Sequence, residues 1–91
     1  MFPVPTLSDV YAARSRVYRV VRPTPLLRHP LLAAETGLDI LVKHENHNPT
    51  CAFKVRGGVN LIASLSDDER ARGVITASTG NHGQSIAFAS Q

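Results

Sequence analysis

The sequence has little of what marks several large classes of protein. Cys51 is the single cysteine among 91 residues, which excludes an internal disulfide framework and is compatible with a reducing compartment. No apolar run approaches the length of a membrane span, and the start Met-Phe-Pro-Val-Pro lacks the basic segment and apolar run of a secretory signal. These absences predict a cytoplasmic protein with no membrane partner.

The positive charge is unevenly distributed along the chain. The net charge is +3 at pH 7, and half of the ten basic residues lie early, at Arg14, Arg16, Arg19, Arg22 and Arg28. Basic patches attract phosphate, but this run lacks the regular aromatic interleaving that favours stacked bases. We therefore interpret it as a solvated helix face, or as a surface that meets a further part of the chain, and expect no nucleic-acid partner.

Local signals predict several short helices. Thr6 or Ser8 can cap the first helix, which ends before Pro23. Its apolar face is expected to comprise Leu7, Val10, Tyr11 and Val17 or Tyr18. Further helices are predicted at 30–36, where Gly37 ends the helix, and at 53–65. Another short helix begins with a capping box at Ser66 and ends at Gly73, and the final helix begins at Gly80 or Asn81.

Apolar and β-branched runs predict three short strands. One begins at Leu26-Leu27, a second, buried strand is expected at Ile40-Leu41-Val42, and a third covers Val74 to Ala77. Strands that alternate with helices in this order favour a doubly wound α/β architecture.

The stretch from Asn48 to Gly58 suggests chemistry. Pro49 and Thr50 form a turn that leads into a helix start, with Lys54 in the first turn. The positive helix N-terminus and Arg56 both disfavour another cation, and a lysine that attacks an aldehyde needs its neutral amine. Lysines near helix starts are common, so this stretch alone also fits a solvated lysine.

Two glycines interrupt the helix that follows Lys54. Gly57 and Gly58 each lower helix propensity by roughly 1 kcal/mol relative to alanine. We expect a close approach of another backbone to be the reason that they are tolerated.

A second stretch, Ser78 to Gln84, reads Ser-Thr-Gly-Asn-His-Gly-Gln. It follows the β-branched run and precedes an apolar helical run. A polar, glycine-containing turn between a strand and a helix directs backbone N–H groups at a small anion.

Together these stretches resemble the fold-type II family of pyridoxal-phosphate (PLP) enzymes, which includes the serine/threonine dehydratases. The similar blocks are Pro23-Thr24-Pro25-Leu26, Lys43-His44-Glu45, Asn48-Pro49-Thr50, Ala52–Gly57 and Ser78–Gln84. The resemblance implies the N-terminal part of a doubly wound, three-layer α/β/α fold that this chain does not complete. Residues 1–72 would belong to the large PLP-binding domain, and residues 73–91 would supply the first strand and helix of the small domain. We expect a fragment of a longer, cytoplasmic, homo-oligomeric enzyme.

The resemblance also assigns roles to residues. Lys54 matches the lysine that holds PLP and then takes the α-proton of the substrate. Asn81 matches the asparagine that hydrogen-bonds the 3′-oxygen of the cofactor, and Phe53 matches an aromatic residue beside its ring. The loop that would receive the substrate carboxylate consists of Ser78, Thr79, Gly80, Asn81 and His82.

Simpler interpretations stay open for three of these residues. Phe53 would instead be a core residue, His82 a helix-start residue without chemistry, and Ser78 a cap of the last helix. His44 and His47 flank Glu45, but their spacing matches no standard zinc pattern, so no metal is expected. The Lys-x-Glu unit that contains Glu45 is structural in the family.

The sequence departs from the family pattern at three positions. Ala52 stands where serine is frequent, Cys51 stands where glycine is common, and Thr79 stands where serine racemases have serine. Neither the glycine-rich phosphate loop nor the residue that faces the pyridine nitrogen has a match, so residues 1–91 alone are expected to bind PLP poorly.

The implied function is a PLP-dependent ammonia-lyase that converts L-threonine or L-serine to a 2-oxo acid and ammonia. Other reactions of the family, namely β-replacement, threonine synthesis and racemisation, stay open. A non-catalytic remnant or a partner-docking module is the alternative from another class.

Overall fold

The computed structural model describes residues 3–91, which form five helices, two short strands and one 3-10 turn. The helices are α1 (Leu7–Val17), α2 (Pro30–Thr36), α3 (Lys54–Ser64), α4 (Asp67–Arg72) and α5 (Asn81–Ala89). The strands are β1 (Leu26–Arg28) and β2 (Leu41–Lys43), and the 3-10 turn covers Glu45–His47.

The helix starts and stops follow local chemistry, as predicted. The Thr6 hydroxyl accepts a hydrogen bond from the Asp9 amide at 3.3 Å, while the Asp9 carboxylate accepts from the Thr6 amide at 2.7 Å. Ser66 and Glu69 form the same reciprocal box at the start of α4. Gly37 ends α2 with a φ of 71°, a conformation that glycine adopts without steric cost.

The two strands form an antiparallel pair, and α2 connects them along the chain. Leu27 lies opposite Val42 in the ladder, and both strands are largely exposed, with Leu41 at 53% exposure. The prediction of a buried strand at 40–42 is therefore wrong in burial and shifted by one residue. Within residues 3–91 nothing covers this two-stranded ladder closely enough to bury it.

The strand predicted at 74–77 does not form. These residues are extended but have no ladder partner among the described residues, and Ile75 is 99% exposed. A strand requires a hydrogen-bonded neighbour, which a β-branched pattern by itself does not supply.

The small core lies around α3. Val17, Val21, Val55 and Val59 form its buried cluster. Phe88 and Ala89 of α5 pack against this cluster, while α1 reaches it only through its last turn. The expected apolar face of α1 is therefore only partly realised, because the residues of its N-terminal half stay exposed: Leu7, Val10 and Tyr11.

A glycine sets the distance between α3 and α5. A Cβ atom added to Gly58 would lie 2.6 Å from the Ser85 carbonyl oxygen and 2.9 Å from the Ser85 hydroxyl oxygen. Ser85 itself is fully buried. The predicted close approach is thus confirmed for Gly58, whereas a Cβ at Gly57 would meet no atom within 4 Å.

Candidate functional site

The two chemically suggestive stretches meet at one open cleft of about 410 Å³. Lys54 contributes from the first position of α3, and the loop before α5 contributes the opposite side. The lining residues are Lys54, Ser78, Thr79, Gly80, Asn81 and His82. Every residue that was predicted to bind substrate therefore lies in the same cleft as the predicted catalytic lysine.

The contact between Gly58 and Ser85 explains why these stretches converge. Gly58 follows Lys54 by four residues on α3, and Ser85 follows Asn81 by four residues on α5. Residues at i and i+4 lie on the same face of a helix. The close approach one turn into each helix therefore brings the N-terminal ends of α3 and α5 together, with Lys54 and Asn81 at the cleft.

The loop before α5 presents backbone donors. The N-cap of α5 is Gly80, which offers no side chain, and the first backbone bond of the helix runs from the Gln84 amide to the Gly80 carbonyl at 3.1 Å. The N–H groups at the start of the helix consequently lack intrahelical acceptors. Together with the Lys54 ammonium, they make the cleft suitable for a small anion such as a carboxylate.

Ser78 has a local role that differs from helix capping. Its hydroxyl accepts a hydrogen bond from the Gly80 amide at 3.1 Å, so it braces the turn two residues ahead. The alternative that Ser78 caps the last helix is wrong, since Gly80 occupies that position. His82 is the second residue of α5 and is exposed at the cleft.

Phe53 lies beside Lys54 and outside the core. Its side chain is 62% exposed, and the Lys54 Nζ atom lies 5.7 Å from the centre of its ring. The interpretation of Phe53 as a core residue is therefore wrong. A contact with the cofactor stays a prediction, for which an exposed ring next to the lysine is the required arrangement.

Glu45 has a larger part in the structure than the sequence suggested. Its carboxylate accepts hydrogen bonds from Arg56 Nε at 2.7 Å, from a terminal Arg56 nitrogen at 3.0 Å and from Asn48 Nδ2 at 2.9 Å. The Thr24 hydroxyl donates to it as well. The Arg56 guanidinium lowers the pKa of Glu45 to about 2; burial opposes this shift, and Thr24 and Asn48 add to it.

This pairing corrects one step of the sequence argument. Arg56 was expected to act as a positive charge near Lys54, but its guanidinium is committed to Glu45, which in turn raises the pKa of Arg56. The only signal for this arrangement in the sequence is the family's Lys-x-Glu unit, represented by Lys43 and Glu45. Pairing across eleven positions leaves no local pattern.

The histidines near Glu45 do not form a metal centre. His44 and His47 have ring centres 5.4 Å apart, and Glu45 between them faces Arg56. Across the part of the chain that the structure describes, no three side chains of His, Cys, Asp or Glu group in a way that would hold a metal ion.

Among residues 3–91, none of the helices has both the length and the apolar content needed to cross a bilayer.

The chain belongs to the family of pyridoxal-phosphate dependent enzymes, whose model matches residues 17–91. PLP is the cofactor of that family. The cleft fits the reactive end of this cofactor, because it combines a lysine amine with no hydrogen bond or ion pair among the described residues, an exposed aromatic ring next to it and a loop of polar donors.

Curated relatives specify the family further. The chain is 45% identical over 86 residues to an L-threonine ammonia-lyase of Thermotoga maritima, and the match covers 94% of this chain and 21% of that protein. It is 42% identical to an L-threo-3-hydroxyaspartate ammonia-lyase of Saccharomyces cerevisiae, over 97% of this chain and 27% of the relative. A serine racemase of Dictyostelium discoideum is 38% identical, over 94% of this chain and 26% of the racemase.

The fold agrees with that of a solved enzyme. The processed form of threonine deaminase isoform 2 from Solanum lycopersicum superposes with a TM-score of 0.78 at 32% identity, over 94% of this chain and 25% of that one. This likeness confirms the predicted fold class. The chain spans about a quarter of the length of the relatives it matches.

Proposed function

We propose that this chain forms the lysine-bearing part of a PLP-dependent ammonia-lyase that converts L-threonine or L-serine to a 2-oxo acid and ammonia. The observation that carries the proposal is the shared cleft of Lys54 and the loop Ser78–His82. The names of the relatives support the reaction class, since two of those described above are ammonia-lyases and the solved structure is a threonine deaminase.

The residues in and beside the cleft have different tasks in this proposal. PLP, when bound, supplies the electron sink for a carbanion at the substrate α-carbon. The Lys54 amine holds the cofactor and later removes the α-proton as a general base. Backbone N–H groups of the loop, with Ser78 and Thr79, hold the substrate carboxylate. Asn81 would help to hold the cofactor through its 3′-oxygen, and Phe53 would pack near the cofactor ring, as the family resemblance implies.

Racemisation is the second candidate reaction within the family. A serine racemase is among the relatives, at 38% identity. Thr79 stands where serine racemases have serine and lines the cleft, so a hydroxyl is present at that position. The extra methyl group of threonine favours elimination over racemisation in our proposal, and β-replacement and threonine synthesis stay open as well.

We further propose the setting in which the cleft works. The substrate is a small amino acid, the full-length enzyme is a cytoplasmic homo-oligomer, and residue 72 is the boundary between the large and the small domain. The residues after Gly73 support this boundary, because residues 73–80 are all exposed and connect α4 to α5 without belonging to either helix.

Chemical trapping tests the proposal. The natural full-length product is incubated with PLP, reduced with borohydride and analysed by intact mass and peptide mapping. We expect one pyridoxyl group on Lys54. Lys43 is the matched control, because it is the only other lysine in these 91 residues and its amine donates to the Thr24 carbonyl instead of facing the cleft.

The variants and substrates then separate the alternatives. Lys54→Ala should lose the adduct and all turnover, whereas Lys43→Arg should retain both. Release of a 2-oxo acid and ammonia from threonine or serine supports the lyase, and conversion of L-serine to D-serine without ammonia supports the racemase. An adduct on Lys43, or none at all, would refute the assignment of the cleft.

A further inference from the structure

Glu45 connects three separate segments of the chain at a single carboxylate. Its hydrogen-bond donors come from the segment before β1 at Thr24, from the loop after the 3-10 turn at Asn48 and from α3 at Arg56. Its side chain is only 22% exposed, and that of Arg56 is 24% exposed. A partly buried, bidentate pair of this kind fixes geometry much more strongly than a surface pair does.

The first branch of this network holds the backbone just before Lys54. The Asn48 Nδ2 atom that donates to Glu45 also donates to the Ala52 carbonyl at 3.2 Å. The Cys51 amide donates to the Asn48 carbonyl at 2.8 Å and closes the same loop. Asn48 is nearly fully buried, so Glu45 sets the orientation of its amide in a place where water has little access.

The second branch holds the backbone just after Lys54. Arg56 lies two residues beyond the lysine, in the first turn of α3, and its guanidinium makes two bonds to Glu45. The same guanidinium lies 5.9 Å from the centre of the Tyr18 ring, which extends the contact to the end of α1. The two parallel hydrogen bonds between the Arg56 guanidinium and the Glu45 carboxylate fix how the first turn of α3 is rotated about the helix axis.

Lys54 itself has no such restraint. Among residues 3–91 its amine makes no hydrogen bond or ion pair, and it lies 5.7 Å from the centre of the exposed Phe53 ring. The direction of its side chain therefore depends on how the backbone between Ala52 and Arg56 is held.

We propose that Glu45 is a positioning residue for Lys54, which acts through Asn48 and Arg56 to direct the lysine side chain into the cleft. This inference rests on the proposed function, since it assumes that Lys54 bonds to PLP. Glu45 is not among the residues that line the cleft.

The test measures how fast the Lys54 amine bonds to PLP in the natural full-length protein. The increase in visible absorbance measures formation of the bond between the Lys54 amine and PLP. Borohydride trapping then identifies the lysine that carries the cofactor. Glu45→Gln keeps the shape of the side chain but replaces one acceptor oxygen by a donor, so it cannot hold both arms of Arg56. We expect the rate per folded molecule to fall by about tenfold or more, because misplacement of a reacting group by about 1 Å can cost about a hundredfold.

Two control variants separate positioning from general stability. Asn60→Ala removes the 2.8 Å bond from Arg16 Nε to the Asn60 side chain, on α3 but away from the lysine. Asp39→Asn removes an ion pair with Arg28 whose side chains are mostly exposed. Both variants should bond PLP at the wild-type rate, once the folded fraction has been measured by gel filtration and circular dichroism.

The outcomes are distinct. Slow bonding in Glu45→Gln with unchanged controls supports the inference. A wild-type rate in Glu45→Gln, or slowing in all variants in proportion to lost stability, overturns it. If Glu45→Gln does not fold, Arg56→Lys replaces it, since lysine keeps the charge and loses the fork; failure of both to fold also overturns the inference. A wild-type protein that never bonds PLP at Lys54 refutes the proposed function instead.

Discussion

Cys51 adopts a backbone conformation that favours glycine. Its φ is 54°, in the left-handed region, and its side chain is exposed. The left-handed conformation costs an L-residue roughly 1–2 kcal/mol. The family resemblance placed glycine at this position, and the geometry supplies the physical reason.

We therefore expect Cys51→Gly to leave the free energy of unfolding equal or to raise it by about 1 kcal/mol. The relief of the left-handed conformation slightly exceeds the added entropy of the unfolded chain, which is about 0.4–1 kcal/mol. Cys51→Val should be destabilising, since β-branched residues tolerate this conformation poorly. Urea unfolding measures the difference, and Cys51→Ala, which removes only the thiol, should match the wild type. A clear loss of stability in Cys51→Gly would contradict this account.

The ion pair of Glu45 predicts a pH dependence with a definite sign. The pKa of Glu45 falls from 4.5 to about 2 on folding. A group whose pKa is lower in the folded state stabilises the protein fully above its unfolded pKa and loses that contribution as the pH falls through the folded value. The full shift corresponds to roughly 3 kcal/mol, and partial exposure reduces this to about 2 kcal/mol.

The wild type should therefore exceed Glu45→Gln in unfolding free energy most clearly near neutral pH. The gap should narrow below pH 4.5 and vanish near pH 2. Asp9 and Glu69 also have lowered pKa values, from their capping boxes, but they are common to both proteins and cancel in the difference. Chemical denaturation at several pH values gives the curve. A gap that stays constant with pH would show that the charge of Glu45 is not responsible.

At the scale of elements, the contact of α3 with α5 depends on one glycine. A methyl group at Gly58 would overlap the Ser85 backbone at 2.6 Å, whereas Gly57 has open space. Alanine gains about 1 kcal/mol of helix propensity at either position. Overpacking against a backbone atom typically costs 1–3 kcal/mol, so the two substitutions should have opposite signs.

Gly57→Ala should thus raise the unfolding free energy by up to about 1 kcal/mol, while Gly58→Ala should lower it by up to about 2 kcal/mol. Gly58→Ala should also reduce PLP bonding by Lys54, because the two helix N-termini that form the cleft move apart. Thermal unfolding and borohydride trapping provide both measurements. Equal effects of the two substitutions would mean that the close approach does not set the helix spacing.

The elements also show why sequence reasoning succeeded at some positions and failed at others. The boxes at Thr6 and Ser66 and the stop at Gly37 depend on residues close in sequence, so local signals predicted Ser66 and Gly37 and left only Thr6 or Ser8 open for the first cap. The strand at 74–77 depends on a neighbour in space, and none exists among the described residues. The prediction that Leu41 is buried was wrong for the same reason, since the burial of a strand depends on which elements pack against it.

At the scale of the whole molecule, the chain is more open than a compact domain of its size. Its radius of gyration is 16.1 Å, against about 12 Å for 91 compact residues. Its accessible surface is 7178 Å², against roughly 5,200 Å² for a compact protein of the same mass. Large apolar side chains such as Ile75 and Leu31 contribute to the excess. This openness agrees with a chain that spans about a quarter of the length of the relatives it matches.

The site was predictable only in part, because it depends on contacts between residues that are far apart in the sequence. The sequence identified Lys54 and the loop from Ser78 to His82 as separate stretches, and the family resemblance joined them. Their meeting depends on the contact of Gly58 with Ser85, two residues that are 27 positions apart and form no recognisable sequence motif. The hydrogen bonds of Glu45 had no signal in the sequence other than the family's Lys-x-Glu unit, because a glutamate in a polar loop usually indicates a solvated side chain.

These features predict how residues 1–91 behave when produced alone. The cleft offers a lysine and a carboxylate-binding loop, but the phosphate loop implied by the resemblance has no match in the sequence. Phosphate contacts supply much of the orientation that brings PLP to the lysine. We therefore expect the 91-residue chain to bind PLP at least about tenfold more weakly than the full-length product and to release no 2-oxo acid from threonine or serine. Equilibrium dialysis measures the first quantity and a coupled dehydrogenase assay the second. Turnover by the 91-residue chain would show that the cleft is complete as it stands, and that Lys54, the loop and the two helix N-termini suffice to orient the cofactor.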